Sequence, residues 1–406
     1  MDFCEINNII CHEQHGFRRN RSCESQLIGL IDDLSLNLEK GLETDVLVMD
    51  FSKAFDKVSH SLLLHKLKHY GITGEILTWT RSFLTGRRQA VVVDGEASGY
   101  CTVDSGVPQG SVLGPALFIL YINDLPNNIN STTRLFADDT LCHNTVTTQK
   151  DTQDLQEDLD KLATWEQRWS MEFHPRKCTV LTVSRKRKET KRVKREYHLR
   201  SHPLEVTQEA TYLGVTVSKD LRWGTQVKNT LTASNRALGF LRRNLKTRSN
   251  KIRERAYKAL VRPRLEYATS AWDPYTAAHI SSLEAVQRRA ARWITNRYRQ
   301  TSSVSEILEG LRLESLEERR RQRRLQTLWK YTNGLTFISS AAAPKPLPQH
   351  PDRSSTRQLH SLQYLKPNSR PDYRKKSFFP RTIPEWNALQ ENAVSSGTLE
   401  EFRSRL

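Results

Sequence analysis

The sequence predicts an α+β fold, and three observations carry that prediction. An amphipathic stretch, ESQLIGLIDDLSLNLEK at 24–40, runs into DVLVMD at 45–50, a β-branched run of the kind buried on both faces of a sheet. At 135–143, LFADDTLCH sets two adjacent aspartates between short apolar stretches, the pattern of a β-turn-β hairpin. From about 223 onward the apolar spacing turns helical.

Each element follows from local pattern. Apolar residues at 27, 31, 34 and 38 share one helical face, and Gly41 closes that helix. The next strand delivers Asp50 at its C-terminal end. Residues 60–84 read as two helices broken at Gly71 and Gly74, and RRQAVVVDG with SGYCTVDSG as a pair of strands. GVPQGS is a glycine-flanked loop that opens the apolar helix VLGPALFILYIND. After the aspartate hairpin, a long amphipathic helix over about 149–170 carries Leu155, Leu159, Leu162 and Trp165 on one side. A strand at KCTVLTVS precedes RKRKETKRVKR, expected to be an exposed connection. Helices are expected near 223–245, 250–262, 277–296 and 315–333. AAAPKPLPQHP reads as a proline-rich linker, with a small C-terminal appendage after it.

Charge is unevenly distributed. Of 63 Lys and Arg and 45 Asp and Glu, residues 1–160 hold 13 basic and 23 acidic, which leaves 50 and 22 for 161–406. An acidic front with clustered aspartates and a back part at net +28 suit a metal-dependent site joined to a polyanion-binding surface, with nucleic acid the first candidate. The six cysteines show no C-x-x-C and no zinc spacing, which predicts free thiols in a reducing compartment. The longest apolar runs are too short to span a bilayer. The expected setting is intracellular, nuclear or cytoplasmic, without a membrane.

An Asp-Asp pair at a turn is by itself ordinary turn chemistry. Asp50 changes that: if its strand neighbours the hairpin, then Asp50, Asp138 and Asp139 converge on a two-metal geometry. Hard oxygen ligands of this kind select Mg²⁺ and serve in-line phosphoryl displacement.

DFSKAFD at 50–56, SGVPQGSVLGP at 105–115, FADD at 136–139 and YLG at 212–214 stand in the order and rough spacing of reverse transcriptase motifs. On these motifs the chain resembles a non-LTR (LINE-type) retrotransposon reverse transcriptase of the jockey-like kind. The resemblance runs from QHGFRRNRSC at 14–23 to SFFPRTIPEWN at 377–387. It implies a right-hand polymerase palm, an antiparallel sheet with packed helices, over 31–222. A remnant of fingers would occupy 1–30 and a basic helical thumb 223–335, then the linker at 336–352 and the appendage at 353–406.

The resemblance also implies roles. Asp50, Asp138 and the Phe51 carbonyl would hold two Mg²⁺, replaceable by Mn²⁺, with Asp139 in support. Phe55 would be the aromatic gate that favours deoxynucleotides and argues against an RNA-dependent RNA polymerase; its residue type alone favours a core aromatic. Gln109 and Gly110 would lie against the incoming nucleotide, where a glycine permits close approach. Lys177 would protonate the leaving pyrophosphate, although His174 stands where the family commonly has Asn. Tyr212, Leu213 and Gly214 would form the primer grip.

The implied partners are an RNA template, a DNA primer and deoxynucleoside triphosphates. Arginines 319, 320, 321, 323 and 324 are expected on a thumb-like helix facing a duplex, and the run 185–195 to be a nuclear signal, a phosphate contact or a solvated connector. The resemblance places finger strands and an endonuclease before QHGF, so the expectation is a truncated copy with weak or absent activity. The alternative is a catalytically silent nucleic-acid-binding remnant or domesticated protein.

Overall fold

The computed structural model describes residues 1–185, 193, 195–299, 303–347 and 360–406. They divide into two compact units, Met1–Ser22 with Leu42–Ala210 and Cys23–Gly41 with Thr211–Leu406. Those limits differ from the expected boundaries: the first long helix joins the second unit, and the chain crosses between units at 210/211 where 222/223 was expected.

The first unit is α+β and centres on a five-stranded sheet. Its strands are β1 (Thr44–Met49), β6 (Thr132–Phe136), β7 (Asp139–Thr145), β8 (Thr179–Val183) and β11 (Glu205–Thr207), in the order β11-β8-β1-β7-β6. β1 is antiparallel to β7 and to β8, and only β11 runs parallel to its neighbour. A central strand must be apolar on both faces. Val46, Leu47 and Met49 accordingly are no more than 2% exposed.

Helices α1 (Asp2–Ile6), α3 (His60–His69), α4 (Gly74–Leu84), α5 (Leu113–Tyr121) and α6 (Gln149–Trp169) belong to this unit. Leu63 and Leu67, Phe118 and Ile119, and Leu155, Leu159 and Leu162 bring α3, α5 and α6 into one core with β1 and β6. A capping box, Thr148 with Asp151, starts α6 where the sequence places it. The strand pair expected at 87–106 forms two short ladders, β2 (Arg88–Gln89) with β5 (Cys101–Thr102) and β3 (Val92–Val93) with β4 (Glu96–Ala97). A further small ribbon pairs β9 (His198–Leu199) with β10 (His202–Pro203).

β1 carries a buried charge. Asp45 is fully buried and accepts from Arg195 Nε at 2.8 Å and Tyr197 Oη at 2.6 Å, while Arg195 Nη2 reaches Glu43 at 2.7 Å. The last arginine of the 185–195 run is therefore a structural partner of the sheet. Residues 186–192 and 194 of that run lie outside the described residues.

The second unit is helical apart from the β12 (Glu209–Tyr212) and β13 (Val215–Ser218) hairpin, whose first two residues still belong to the sheet unit. Its helices are α2 (Cys23–Glu39), α7 (Gly224–Asn244), α8 (Asn250–Leu260), α9 (Arg262–Glu266), α10 (Thr269–Trp272), α11 (Ala277–Thr295), α12 (Val304–Gly310) and α13 (Leu316–Thr332), followed by α14 (Asp372–Lys375), α15 (Phe378–Asn387), α16 (Glu391–Val394) and α17 (Leu399–Ser404).

The appendage is tied into this unit. Buried Asp32 of α2 pairs with Arg374 and accepts from Ser340 Oγ at 2.5 Å, and Asp33 accepts from Ala341 N at 2.8 Å. Trp386 and Phe402 complete an aromatic cluster on Trp329, centroids 5.7–5.9 Å apart. Among the described residues no helix is long and apolar enough to cross a membrane.

Candidate active site

The β1–β7 register brings the predicted carboxylates to one level. Met49 pairs with Thr140, so Asp50 lies one step further along, beside Asp139 and the turn that holds Asp138. That turn is tight. Phe136 pairs with Asp139, and only Ala137 and Asp138 lie between β6 and β7. Ala137 takes φ +54°, a conformation that favours glycine.

Charge crowding follows from this convergence. Asp139 is pushed up to about 6, by loss of solvation and then by the charges of Asp138 and Asp50. Its side chain remains exposed, so water screens part of the desolvation and the two neighbouring carboxylates are the firmer cause. Asp138 is raised for the same reasons, desolvation first and Asp50 after it.

Asp50 is fixed through its backbone. Phe51 bridges to Phe173, His174 N donates to the Asp50 carbonyl at 2.7 Å and Ser52 N to that of Glu172 at 2.7 Å. The Phe51 ring is buried against Phe173, with centroids 4.1 Å apart. The chain then turns, Lys177 N bonding His174 O at 2.9 Å, and Lys177 Nζ comes within 2.9 Å of Asp50 Oδ2. That contact pairs the ammonium with a covered carboxylate oxygen. Asp50 in turn raises the Lys177 ammonium above its ordinary value. His174, the departure from the family pattern, thus contributes its amide to Asp50 and its carbonyl to Lys177 N.

Gln109 and Gly110 lie on the same unit. Gln109 Nε2 donates to Asp56 Oδ1 at 2.9 Å, and Gly110 stands at φ +77° with open space where a Cβ would be. Gly106 is different: at φ +83° an added Cβ would lie 2.8 Å from Asp56 Cα and from its carbonyl oxygen. Its own carbonyl is held by Arg87 Nη2 at 2.7 Å and His60 Nε2 at 2.8 Å. Phe55 is partly buried and stacks on Phe118 at 4.3 Å, so one face of its ring is core, as its residue type alone suggested.

Tyr212, Leu213 and Gly214 belong to the other unit. Leu213 and Gly214 make the β12–β13 turn with φ +46° and +75°. Tyr212 is 2% exposed, Leu213 is buried and its carbonyl accepts from Tyr267 Oη at 2.9 Å, which leaves Gly214 as the outward residue of the turn.

The arginine run on α13 is placed otherwise than expected. Arg320 and Arg324 have 2% exposed side chains and converge on buried Asp273, and Arg324 also takes Glu385 at 2.7 Å. Arg319 pairs with Glu266, Arg321 with Glu318 and Arg323 with Glu24. Arg320 and Arg324 are therefore inside the unit and do not face a duplex, while Arg319, Arg321 and Arg323 stay partly exposed, each paired with a carboxylate. The mistake has a simple source: the carboxylates that neutralise the run lie up to 299 residues away in sequence. Likewise, the strand-like pairing of 172–174 with 50–52 had no signal in the short segment MEFHP.

A divalent-cation fit rests on the donor set. Among the described residues no three His, Cys, Asp or Glu side chains form a ready-made cage. What is present is the Asp50 carboxylate, countered so far by the exposed Lys177 alone, beside two carboxylates that repel each other, a set of hard oxygens whose charge a divalent cation would neutralise.

The chain belongs to the reverse transcriptase (RNA-dependent DNA polymerase) family, whose model matches residues 2–217. Members of this family generally use divalent metals and bind RNA templates. The similarity to non-LTR elements expected from the motifs is also found. The chain is 29% identical over 309 residues to the RNA-directed DNA polymerase from mobile element jockey of Drosophila funebris, covering 72% of this chain and 32% of that protein. It is 28% identical to the probable RNA-directed DNA polymerase from transposon X-element of Drosophila melanogaster, covering 72% and 32%. The chain thus spans about a third of the length of these relatives. Among solved structures it is similar to apo telomerase from Candida tropicalis at 9% identity and TM-score 0.42, covering 84% of this chain and 58% of that one.

Proposed function

We propose that this chain supplies the catalytic core of an RNA-directed DNA polymerase of a non-LTR retrotransposon, extending a DNA 3′-hydroxyl along template RNA with deoxynucleoside triphosphates. The register that sets Asp50 level with the Asp138–Asp139 turn is the main support. Asp50 and Asp138 would hold two Mg²⁺, with the Phe51 carbonyl as a further ligand and Asp139 in support. The bound ions would supply charge neutralisation and a more acidic attacking hydroxyl.

The side chains divide the remaining work. Lys177, an exposed ammonium beside Asp50, is the proton donor to the leaving pyrophosphate. Phe55, packed on Phe118, presents its other face to the sugar and disfavours a 2′-hydroxyl. Gln109 and Gly110 lie against the nucleotide, and the Leu213–Gly214 turn offers its backbone at Gly214 to the primer. The place of action is intracellular, where RNA template and nucleotides occur together.

Primer extension on an RNA template with Mg²⁺ tests this, with Asp138→Ala as the paired control. Metal-dependent extension, weak with the parent chain alone and stronger with the upstream polypeptide of a relative supplied, is expected and should be lost in the variant. No extension, even with the upstream polypeptide of a relative supplied, would refute it. A silent nucleic-acid-binding role is the second reading, favoured by exposed basic residues on α7 such as Arg236, Arg242 and Arg243. It predicts salt-sensitive RNA binding that survives loss of all three aspartates.

A further inference from the structure

We infer that Gln14 is the positioning residue of the Asp138–Asp139 turn and that, with Gly16, it forms a clip holding that turn in its strained conformation. The clip's relevance to catalysis rests on the polymerase reading above, while its existence as a device rests on geometry alone.

Segment 13–16 runs along the free edge of β6. Leu135 N donates to Glu13 O at 3.0 Å and His15 N to Leu135 O at 2.8 Å, a parallel bridge that centres on Gln14. The Gln14 side chain turns into the protein and is 1% exposed. Its Oε1 accepts two backbone amides, Gly16 N at 2.7 Å and Ala137 N at 3.0 Å. Ala137 is the residue at φ +54° that opens the two-residue turn. An alanine there is strained and persists only where its surroundings over-determine it. Gln14 is what captures its amide.

Gly16 completes the fit by absence. A Cβ on it would lie 2.4 Å from Ala137 N and 3.0 Å from Gln14 Oε1, so a side chain would pry the clip from the turn. The clip is itself fastened on its outer side. Arg21 Nη1 donates to His12 O at 2.6 Å and Gln14 O at 3.0 Å, and Arg18 Nη1 to Cys11 O at 2.8 Å. Arg18 is held in turn by Glu5, and Asn123 at the end of α5 brackets the chain by accepting from Cys11 N and donating to Ile9 O, both at 2.7 Å. The run QHGFRRNR therefore gives its glutamine and glycine to the turn and two of its arginines to the backbone of the clip.

Only the carbonyl half of the Gln14 amide is used, since Nε2 has no partner. Gln14→Glu should therefore keep both bonds, and Gln14→Leu should keep the bulk and lose both.

The test uses the full chain, amide hydrogen exchange over peptides spanning 12–18 and 133–141, and Mn²⁺ titration followed by electron paramagnetic resonance. In Gln14→Leu, exchange at Ala137 should rise about tenfold, the loss of one ordinary hydrogen bond. The amides of the β1–β7 ladder should stay protected and Mn²⁺ affinity should fall at least fivefold. Gln14→Glu should return the turn's exchange to near the parent level. Where the parent chain extends a primer, Gln14→Leu should lower kcat with KM for nucleotide unchanged. Unchanged exchange at Ala137, equal loss of protection across the whole sheet, or a loosened turn with unaltered Mn²⁺ affinity would each overturn the inference. A parent chain that neither binds Mn²⁺ nor extends a primer defeats the polymerase reading instead, and the exchange data then decide on the clip alone.

Discussion

Replacing Asp273 with alanine should unfold the helical unit before the sheet unit. Three guanidinium groups meet this carboxylate: Arg320 Nε at 2.8 Å, Arg324 in a closer contact and Arg381 Nη1 at 3.1 Å. Asp273 is 3% exposed, and the Arg320 and Arg324 side chains 2% each. Removing the anion does not affect the three arginines equally. Arg324 keeps Glu385 at 2.7 and 2.9 Å, and Arg381 keeps the residue 273 carbonyl at 3.2 Å. Arg320 is left with nothing, because its Nη1 and Nη2 already lack partners and only Nε was paired. Breaking a buried pair from one side costs about 3–5 kcal/mol, and the upper half of that range is expected for an arginine without a second acceptor.

The assay is urea unfolding followed by hydrogen exchange and mass spectrometry, which assigns the lost stability to peptides of 262–332 and 372–404. A cost below about 1 kcal/mol, the level of an exposed ion pair, would refute the claim that this arginine run is an internal network. So would a loss spread equally over both units.

Three further outcomes follow from the same geometry. The raised value of Asp139, about 6, means that the metal-free folded chain keeps this proton to a higher pH than the unfolded chain. Its contribution to stability is present at low pH and lost as pH rises through 6, so Mg²⁺ should raise the melting temperature more at pH 7.5 than at pH 5, and Asp138→Asn should stabilise the metal-free chain at pH 7.5. Calorimetry at the two pH values checks both. Arg242 and Arg243 are exposed on α7, and changing both to alanine should lower the slope of log affinity against log salt for RNA by about 1–2 in a filter-binding titration. Gly106→Ala would force a Cβ to 2.8 Å from Asp56 at φ +83°; a strain of about 1–3 kcal/mol should displace the Gln109 loop and raise KM for nucleotide more than it lowers kcat.

Local pattern made most of the first unit legible. The β-branched run at 45–50 reads as a buried strand, the apolar stretches flanking FADD as a hairpin, and the leucine spacing at 155, 159 and 162 as a helix face. Helices expected at 223–245, 277–296 and 315–333 appear at Gly224–Asn244, Ala277–Thr295 and Leu316–Thr332. What escaped depends on partners remote in sequence. Whether Arg320 is a phosphate contact or a buried counter-ion is decided by Asp273, and whether Arg195 is a connector or a sheet residue by Asp45. A string of arginines reads the same in either case. The appendage escaped for the same reason, because Asp32 and Arg374 look like ordinary surface charges until α2 and α14 meet.

This correction relocates the basic surface and leaves the chain's net charge as it was. Arginines 195, 319, 320, 321, 323, 324, 374 and 381 are matched by carboxylates, so they add little to the long-range field. On α7 and α8 the exposed Lys228, Arg236, Arg242, Arg243, Lys251 and Arg255 have no carboxylate partner among the described residues, and they carry positive potential into solvent. A polyanion attracted to the second unit should therefore be drawn to α7 and α8. The α13 arginines serve it indirectly, by fixing the helices against which α7, α8 and α11 pack.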